Sequence, residues 1–193
     1  WTLKDLLDFS LVSSANDGIR AIALAVGSLD QNNASDESQV NDFVLKMNSL
    51  ASKIGMKNTY YLNDTGLDES KEQGGAYGSA KDQAILLEYI LKKNPTLLSS
   101  TKSSTLRIRN IEGLVHTARN TSSIVNDIPG IIASKTGFTD LAGGNLIIAF
   151  DPEIGRPIII SLLGSSEEGR FRDMMVLVNA SLASVQNSVI STQ

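Results

Sequence analysis

Three apolar runs, Ile131 to Thr139, Gly144 to Phe150 and Pro157 to Leu163, follow one another with only short polar segments between them. Asp140-Leu141-Ala142-Gly143 joins the first pair and Asp151-Pro152-Glu153-Ile154-Gly155 the second. A parallel crossover needs a dozen or more residues, so connections this short predict antiparallel pairing in a sheet meander. Glu167 and Glu168 then suit the positive end of a closing helix.

The first hundred residues carry a helical period instead. Thr2 and Asp5 form a capping pair for a short helix bearing Leu3, Leu6, Leu7 and Leu11. Ser13-Ser14-Ala15 breaks it, and Asn16 or Asp17 is placed to cap the next, which runs to about Val26. Residues 30–38 read as a polar loop. Val40, Phe43, Val44, Met47, Leu50, Ala51 and Ile54 recur at helical spacing up to a Gly55 cap. The stretch from Asn58 to Gly78 is loop-like. Ser79 with Asp82 opens a helix that ends near Asn94-Pro95. Beyond it Leu106, Ile108 and Asn110 alternate with Arg107 and Arg109, as in a half-buried strand. Val185 to Gln193 read as a frayed end. Helices first, then a meander, then a helix, with no internal repeat, is an α+β layout: residues 1–100 mainly helical, 101–193 sheet plus a C-terminal helix.

Composition narrows the chemistry. The chain has 193 residues, 41% apolar and 20% charged, within the range of one ordinary domain. It has no cysteine, which excludes thiolate chemistry, and its single histidine, His116, gives little material for a zinc site or a Ser-His-Asp triad. No metal or cofactor is expected. A net charge of −4 without a basic block argues against nucleic acid and anionic membrane. No apolar run approaches the roughly 20 residues that span a bilayer. Trp1-Thr2-Leu3-Lys4-Asp5 has neither an initiator Met nor a signal pattern, and reads as an internal start.

Nucleophilic chemistry would thus need a base other than histidine, and lysine is the obvious one. Lys135-Thr136-Gly137 sits within the first sheet run. An edge strand can take an extended peptide as an added strand, and Gly137 lets a substrate backbone come close. Lys135 brings positive potential, and Thr136 and Thr139 bring hydroxyls suited to a terminal carboxylate. Alternation puts Lys135, Gly137 and Thr139 on one face and Thr136 on the other. The plain alternative is a strand end entering a turn. A phosphate loop is excluded, because Pro129 and Ser134 occupy both glycine positions of G-x-x-x-x-G-K-[ST]. Ser14-Ala15-Asn16 lies where two helices meet. Ser14 could relay a proton and Asn16 could bind an amide, or both could be ordinary caps. Ser99-Ser100-Thr101-Lys102 matches S-x-x-K but follows Ser14-Ala15-Asn16 instead of preceding it, and reads as a decoy. His116 reads as a surface or structural residue on a polar stretch between strands, and Arg107, Arg109 and Arg119 as a solvated face.

Taken together these segments resemble the D-alanyl-D-alanine carboxypeptidases, the low-molecular-mass penicillin-binding proteins. The resemblance runs over about residues 1 to 182. It includes Leu11-Val12-Ser13-Ser14-Ala15-Asn16-Asp17, Met47-Asn48, the stretch from Leu50 to Thr59, Asn63-Asp64-Thr65-Gly66-Leu67-Asp68, Ser79-Ala80-Lys81-Asp82, Arg119-Asn120-Thr121, Gly130 to Thr139 and Ala142-Gly143-Gly144-Asn145-Leu146. S-x-x-K, a Ser-x-Asn element and K-T-G form the short signature of such enzymes. The resemblance implies a β-lactamase/transpeptidase-like fold and a peptidoglycan stem peptide ending in D-Ala-D-Ala as substrate, with β-lactams acylating the same serine. It implies proton transfer at Ser14, amide binding at Asn16 and electrostatic support from Lys135. Thr136 and Thr139 would hold the carboxylate, and the backbone N–H of Phe138 would serve an oxyanion hole. It also implies an extracytoplasmic location.

The family's S-x-x-K precedes its Ser-x-Asn loop by several dozen residues, whereas 13 residues precede Ser14. The expectation is therefore one incomplete catalytic domain, lacking the N-terminal strands and the nucleophile helix. Alone it would be inactive, with an exposed sheet edge that invites self-association. Two rivals remain. A class A β-lactamase wants a deacylating glutamate where Thr59 stands before Tyr60-Tyr61-Leu62-Asn63. A non-catalytic peptidoglycan-binding or assembly module would keep the groove without the nucleophile.

Overall fold

A computed structural model of the chain describes residues 1–30, 35–153 and 155–190. In chain order the elements are α1 (Leu3–Ser13), α2 (Asn16–Gly27), α3 (Asp36–Lys53), β1 (Tyr60–Tyr61), β2 (Ala76–Tyr77), α4 (Ala80–Lys93), β3 (Thr105–Arg109), β4 (Val115–Arg119), β5 (Ile131–Thr139), β6 (Gly143–Phe150), β7 (Ile158–Ser165) and α5 (Gly169–Ile190). The layout is α+β, and every strand pair is antiparallel.

The meander forms the sheet β5-β6-β7. Its central strand β6 is nearly all apolar because both of its faces are covered. Leu146, Ile148 and Phe150 point to Met174 and Val178 of α5, joined by Ile124 and Ile128. Ala149, with Ala133 of β5, points the other way to Leu87 of α4. The sheet therefore lies between α4 and α5. The other two sheets are hairpins, β1-β2 and β3-β4.

The helical part is joined tightly at two glycines, Gly18 and Gly27, the second against the Gln39 backbone of α3. A Cβ on Gly18 would lie 2.0 Å from Ser10 Oγ, so only glycine lets α2 approach α1 this closely. Thr2 caps α1 by accepting the Asp5 N–H, and Ser79 caps α4 by accepting the Asp82 N–H, both as the sequence indicates. Asp82 is 2% exposed and does more than follow a cap. Its Oδ2 accepts the Asn58 N–H at 2.7 Å and the Thr59 hydroxyl at 2.9 Å, fixing the entry to the long loop. Asp82→Ala leaves both donors unpaired and is expected to cost about 2–4 kcal/mol in urea unfolding, with Asp82→Asn recovering part of it.

Several local expectations are corrected. Neither Asn16 nor Asp17 caps α2: the N-cap is Ala15, without a side-chain bond, because the chain turns through a left-handed Ser14 and re-enters the helix at Asn16. Residues 36–38 belong to α3, capped by Ser35, and Asp30 closes a short 3₁₀ turn; residues 31–34 of the expected loop lie outside the described residues. Glu167 and Glu168 precede α5, which starts at Gly169 with its N–H bonded to Ser166 Oγ. His116 lies within β4, paired with Ile108 and 4.5 Å from the Trp1 ring. Asn110 is in the β3-β4 turn, where its side chain accepts the Leu114 N–H. Val185 to Ile190 continue α5, and residues 191–193 lie outside the described residues.

Candidate active site

The geometry begins with how α1 ends. Ser14 is its C-cap, with φ 55° and ψ 44°, and it is the one non-glycine residue of positive φ among the described residues. A left-handed serine costs free energy, so neighbouring contacts must hold it there. Its N–H and that of Ala15 both meet Ser10 C=O. Ser10 is itself buried, against Gly18.

Across from it runs β5. Lys135 Nζ donates to Ser14 Oγ at 2.8 Å and to Thr136 C=O at 2.7 Å. The first bond joins residues 121 positions apart and ties the α1–α2 junction to the sheet edge. Burial first, and then the nearby Arg170 guanidinium, together lower the Lys135 pKa to about 8. At neutral pH Lys135 is thus protonated and easily deprotonated. Because Ser14 Oγ accepts from Lys135, its own proton is free to point elsewhere.

The rest of the motif lies along the strand. Thr136 is 7% exposed, and its hydroxyl is 2.6 Å from that of Thr121. Gly137 has room beside it, since an added Cβ would meet only Asn145 at ordinary contact distance. Phe138 is 42% exposed. Thr139 Oγ1 accepts the Ala142 N–H and so braces the β5-β6 turn. Asn16 is exposed at the start of α2, two residues from Ser14. Asp68, on the loop of the helical part, accepts the Leu141 N–H at 3.2 Å and ties that loop to the same turn.

Sequence reasoning missed Arg170. It is 8% exposed, starts α5, and donates from Nη1 to Gly137 C=O at 2.8 Å. The peptide is trans, so the Phe138 N–H points away from the arginine. No carboxylate pairs with Lys135 or Arg170 among the described residues. A buried and a half-buried cation, neither paired with a carboxylate, make a strongly anion-attracting edge. The one local signal was an arginine in the first turn of the closing helix, where a cation opposes the dipole; its burial and its partner are tertiary.

The other sequence candidates take no part in these bonds. Ser99 and Lys102 are exposed on a 3₁₀ turn whose Thr101 is buried and accepts the Ser134 N–H. Arg107, Arg109 and Arg119 are exposed on the β3-β4 hairpin. Among the described residues no three His, Cys, Asp or Glu side chains gather to hold a metal, and no described helix is long and apolar enough to cross a membrane.

Known proteins resemble this chain in sequence and in fold. The D-alanyl-D-alanine carboxypeptidase family matches residues 1–166. The chain is 28% identical over 191 residues to the Bacillus subtilis D-alanyl-D-alanine carboxypeptidase DacF, covering 98% of this chain and 41% of that one. It is 31% identical over 160 residues to the Escherichia coli carboxypeptidase DacA, covering 82% and 35%. The chain thus spans well under half the length of these relatives. Among solved structures, penicillin-binding protein D2 from Listeria monocytogenes in its ampicillin-bound form aligns with a TM-score of 0.75 and 27% identity, over 93% of this chain and 66% of that one. A variant of the Streptomyces K15 DD-transpeptidase aligns with a TM-score of 0.79 at 23% identity, over 94% and 68%, and shows the shared fold. A profile match across most of the chain, together with the same fold, makes the assignment: this chain belongs to the D-alanyl-D-alanine carboxypeptidase family.

Proposed function

We propose that the chain forms the Ser-x-Asn and Lys-Thr-Gly walls of a serine-type D-Ala-D-Ala carboxypeptidase acting on peptidoglycan stem peptides outside the cytoplasm. The observation that carries this reading is the 2.8 Å bond from Lys135 Nζ to Ser14 Oγ. A lysine of lowered pKa feeding a serine hydroxyl is a relay able to pass a proton to a departing amine. The substrate lies along the outer edge of β5, and Asn16 binds its amide. Its terminal carboxylate is drawn by Lys135 and Arg170 and held by the hydroxyls of Thr136 and Thr139. The Phe138 N–H receives the oxyanion; a donor of this kind is worth roughly 3–4 kcal/mol at the transition state.

The attacking serine of the acyl-enzyme step comes from an S-x-x-K element outside these 193 residues, since Ser99 and Lys102 are exposed and neither is bonded to Ser14 or Lys135. β-Lactams acylate that same serine. The Thr59 hydroxyl is committed to Asp82, which supports slow deacylation over a β-lactamase-like turnover.

The test compares two proteins. The complete polypeptide encoded by the gene is expected to release D-alanine from a peptide ending in D-Ala-D-Ala and to bind fluorescent penicillin covalently. A chain of residues 1–193 alone is expected to do neither. Release by the short chain would overturn the placement of the nucleophile. No release by the complete polypeptide would overturn the enzyme reading in favour of a binding module.

A further inference from the structure

Thr121 lies on the turn after β4 and is exposed, yet it is held from several sides. Its N–H donates to Val12 C=O at 3.2 Å, two residues before Ser14. Its neighbour Asn120 donates to the carbonyls of Thr101 and Ser103 at 2.8 and 2.9 Å and accepts the Ser122 N–H at 2.9 Å. The turn is thereby fixed to the end of α1 and to the 3₁₀ segment. The Thr121 hydroxyl then meets that of Thr136 at 2.6 Å, and this is the one side-chain hydrogen bond of Thr136 among the described residues.

We propose that Thr121 is a positioning residue that donates to Thr136 Oγ1 and thereby aims the Thr136 proton at the substrate carboxylate. The inference rests on the functional reading above. A hydroxyl carries one proton and two lone pairs. Were Thr136 to donate to Thr121, its only proton would be used, and a carboxylate in the groove would face lone pairs. With Thr121 as donor, both protons run toward the anion and each bond polarises the next. Exposure of Thr121 leaves water as the partner of its remaining lone pairs, so nothing built into the fold opposes this direction. An anion bound alike in ground and transition state changes KM and leaves kcat alone.

The experiment compares wild type, Thr121→Val and Thr121→Ser in the complete polypeptide. With a D-Ala-D-Ala peptide, Thr121→Val is expected to raise KM about tenfold, the scale of a weakened hydrogen bond to a charged group, with kcat held within about twofold. Thr121→Ser keeps the hydroxyl and restores KM. Acylation by benzylpenicillin should slow about tenfold in Thr121→Val, while acylation by its methyl ester, which has no carboxylate, should be unchanged. Equal losses for acid and ester, or an unaltered KM in Thr121→Val, would overturn the proposal and leave the functional reading standing. A wild-type polypeptide that releases no D-alanine would overturn the functional reading and this inference with it.

Discussion

Replacing Lys135 with methionine is expected to leave the chain as stable as wild type, or more so, at neutral pH while removing at least about a hundredfold of penicillin acylation in the complete polypeptide. The two effects have one cause. Lys135 is a charge held in a partly dry site beside Arg170, and both burial and the arginine oppose its protonation. Its pKa falls from 10.5 to about 8. Below about pH 8 folded and unfolded chains both keep the proton, so the full cost of burying the cation is present. Between about 8 and 10.5 only the unfolded chain keeps it, so stability rises with pH across that window. The Lys135→Met chain lacks this rise, and comparing thermal midpoints at pH 7 and pH 9.5 reads the difference directly. Activity runs the other way. Protonated Lys135 supplies the bond to Ser14 and the positive potential, so acylation by wild type should fall as pH rises through about 8. A variant that loses stability at pH 7, or wild-type stability flat between pH 8 and 10, would show that the lysine charge is compensated.

Phe150→Ala is expected to be among the most destabilising single changes in the chain, costing about 3–5 kcal/mol in urea unfolding. Phe150 is fully buried at the end of β6, within the cluster formed by Leu146, Ile148, Met174 and Val178. It pairs with Ile131 on one side and Ile158 on the other, so the cavity is walled by both neighbouring strands. Ordinary domains are stable by only about 5–15 kcal/mol, so the loss would remove a large share of the total. Leu29 is 76% exposed, and Leu29→Ala serves as the control, with an expected change within about 0.5 kcal/mol. A Phe150→Ala loss below about 1 kcal/mol would mean that α5 does not pack on this face.

Strand β3, the β5-β6-β7 meander and the helices were legible because their causes are local, whereas β1 and β2 lie in a stretch that reads as loop and β4 in one that reads as a polar connection. β6 shows its double burial as an unbroken apolar run, and Ser79 with Asp82 announces α4 by the spacing of a cap. Ser14, Asn16 and Lys135 could be singled out as short motifs, yet the bond joining Ser14 to Lys135 is tertiary and has no trace in either segment. Arg170 stayed hidden for the same reason. Its role depends on α5 lying across the sheet near Gly137, and its acidic neighbours were read as a helix start. Thr121 stands out in sequence only as part of Arg119-Asn120-Thr121, because a hydroxyl's partner cannot be read from its own neighbourhood. The misplaced α2 cap came from the unusual backbone of Ser14, which no side-chain pattern encodes.

The bonds that seam the helical part to the sheet are also among the most distant in sequence, 121 residues apart for Lys135 with Ser14 and 92 for Ser100 with Asp8. Closing such long loops comes at the greatest entropic cost, and native pairings of this kind form late. The seam between Ser14 and Lys135 is then the final piece of the architecture to be assembled, and in the complete polypeptide covalent capture of an antibiotic is expected to report, molecule by molecule, that folding had finished.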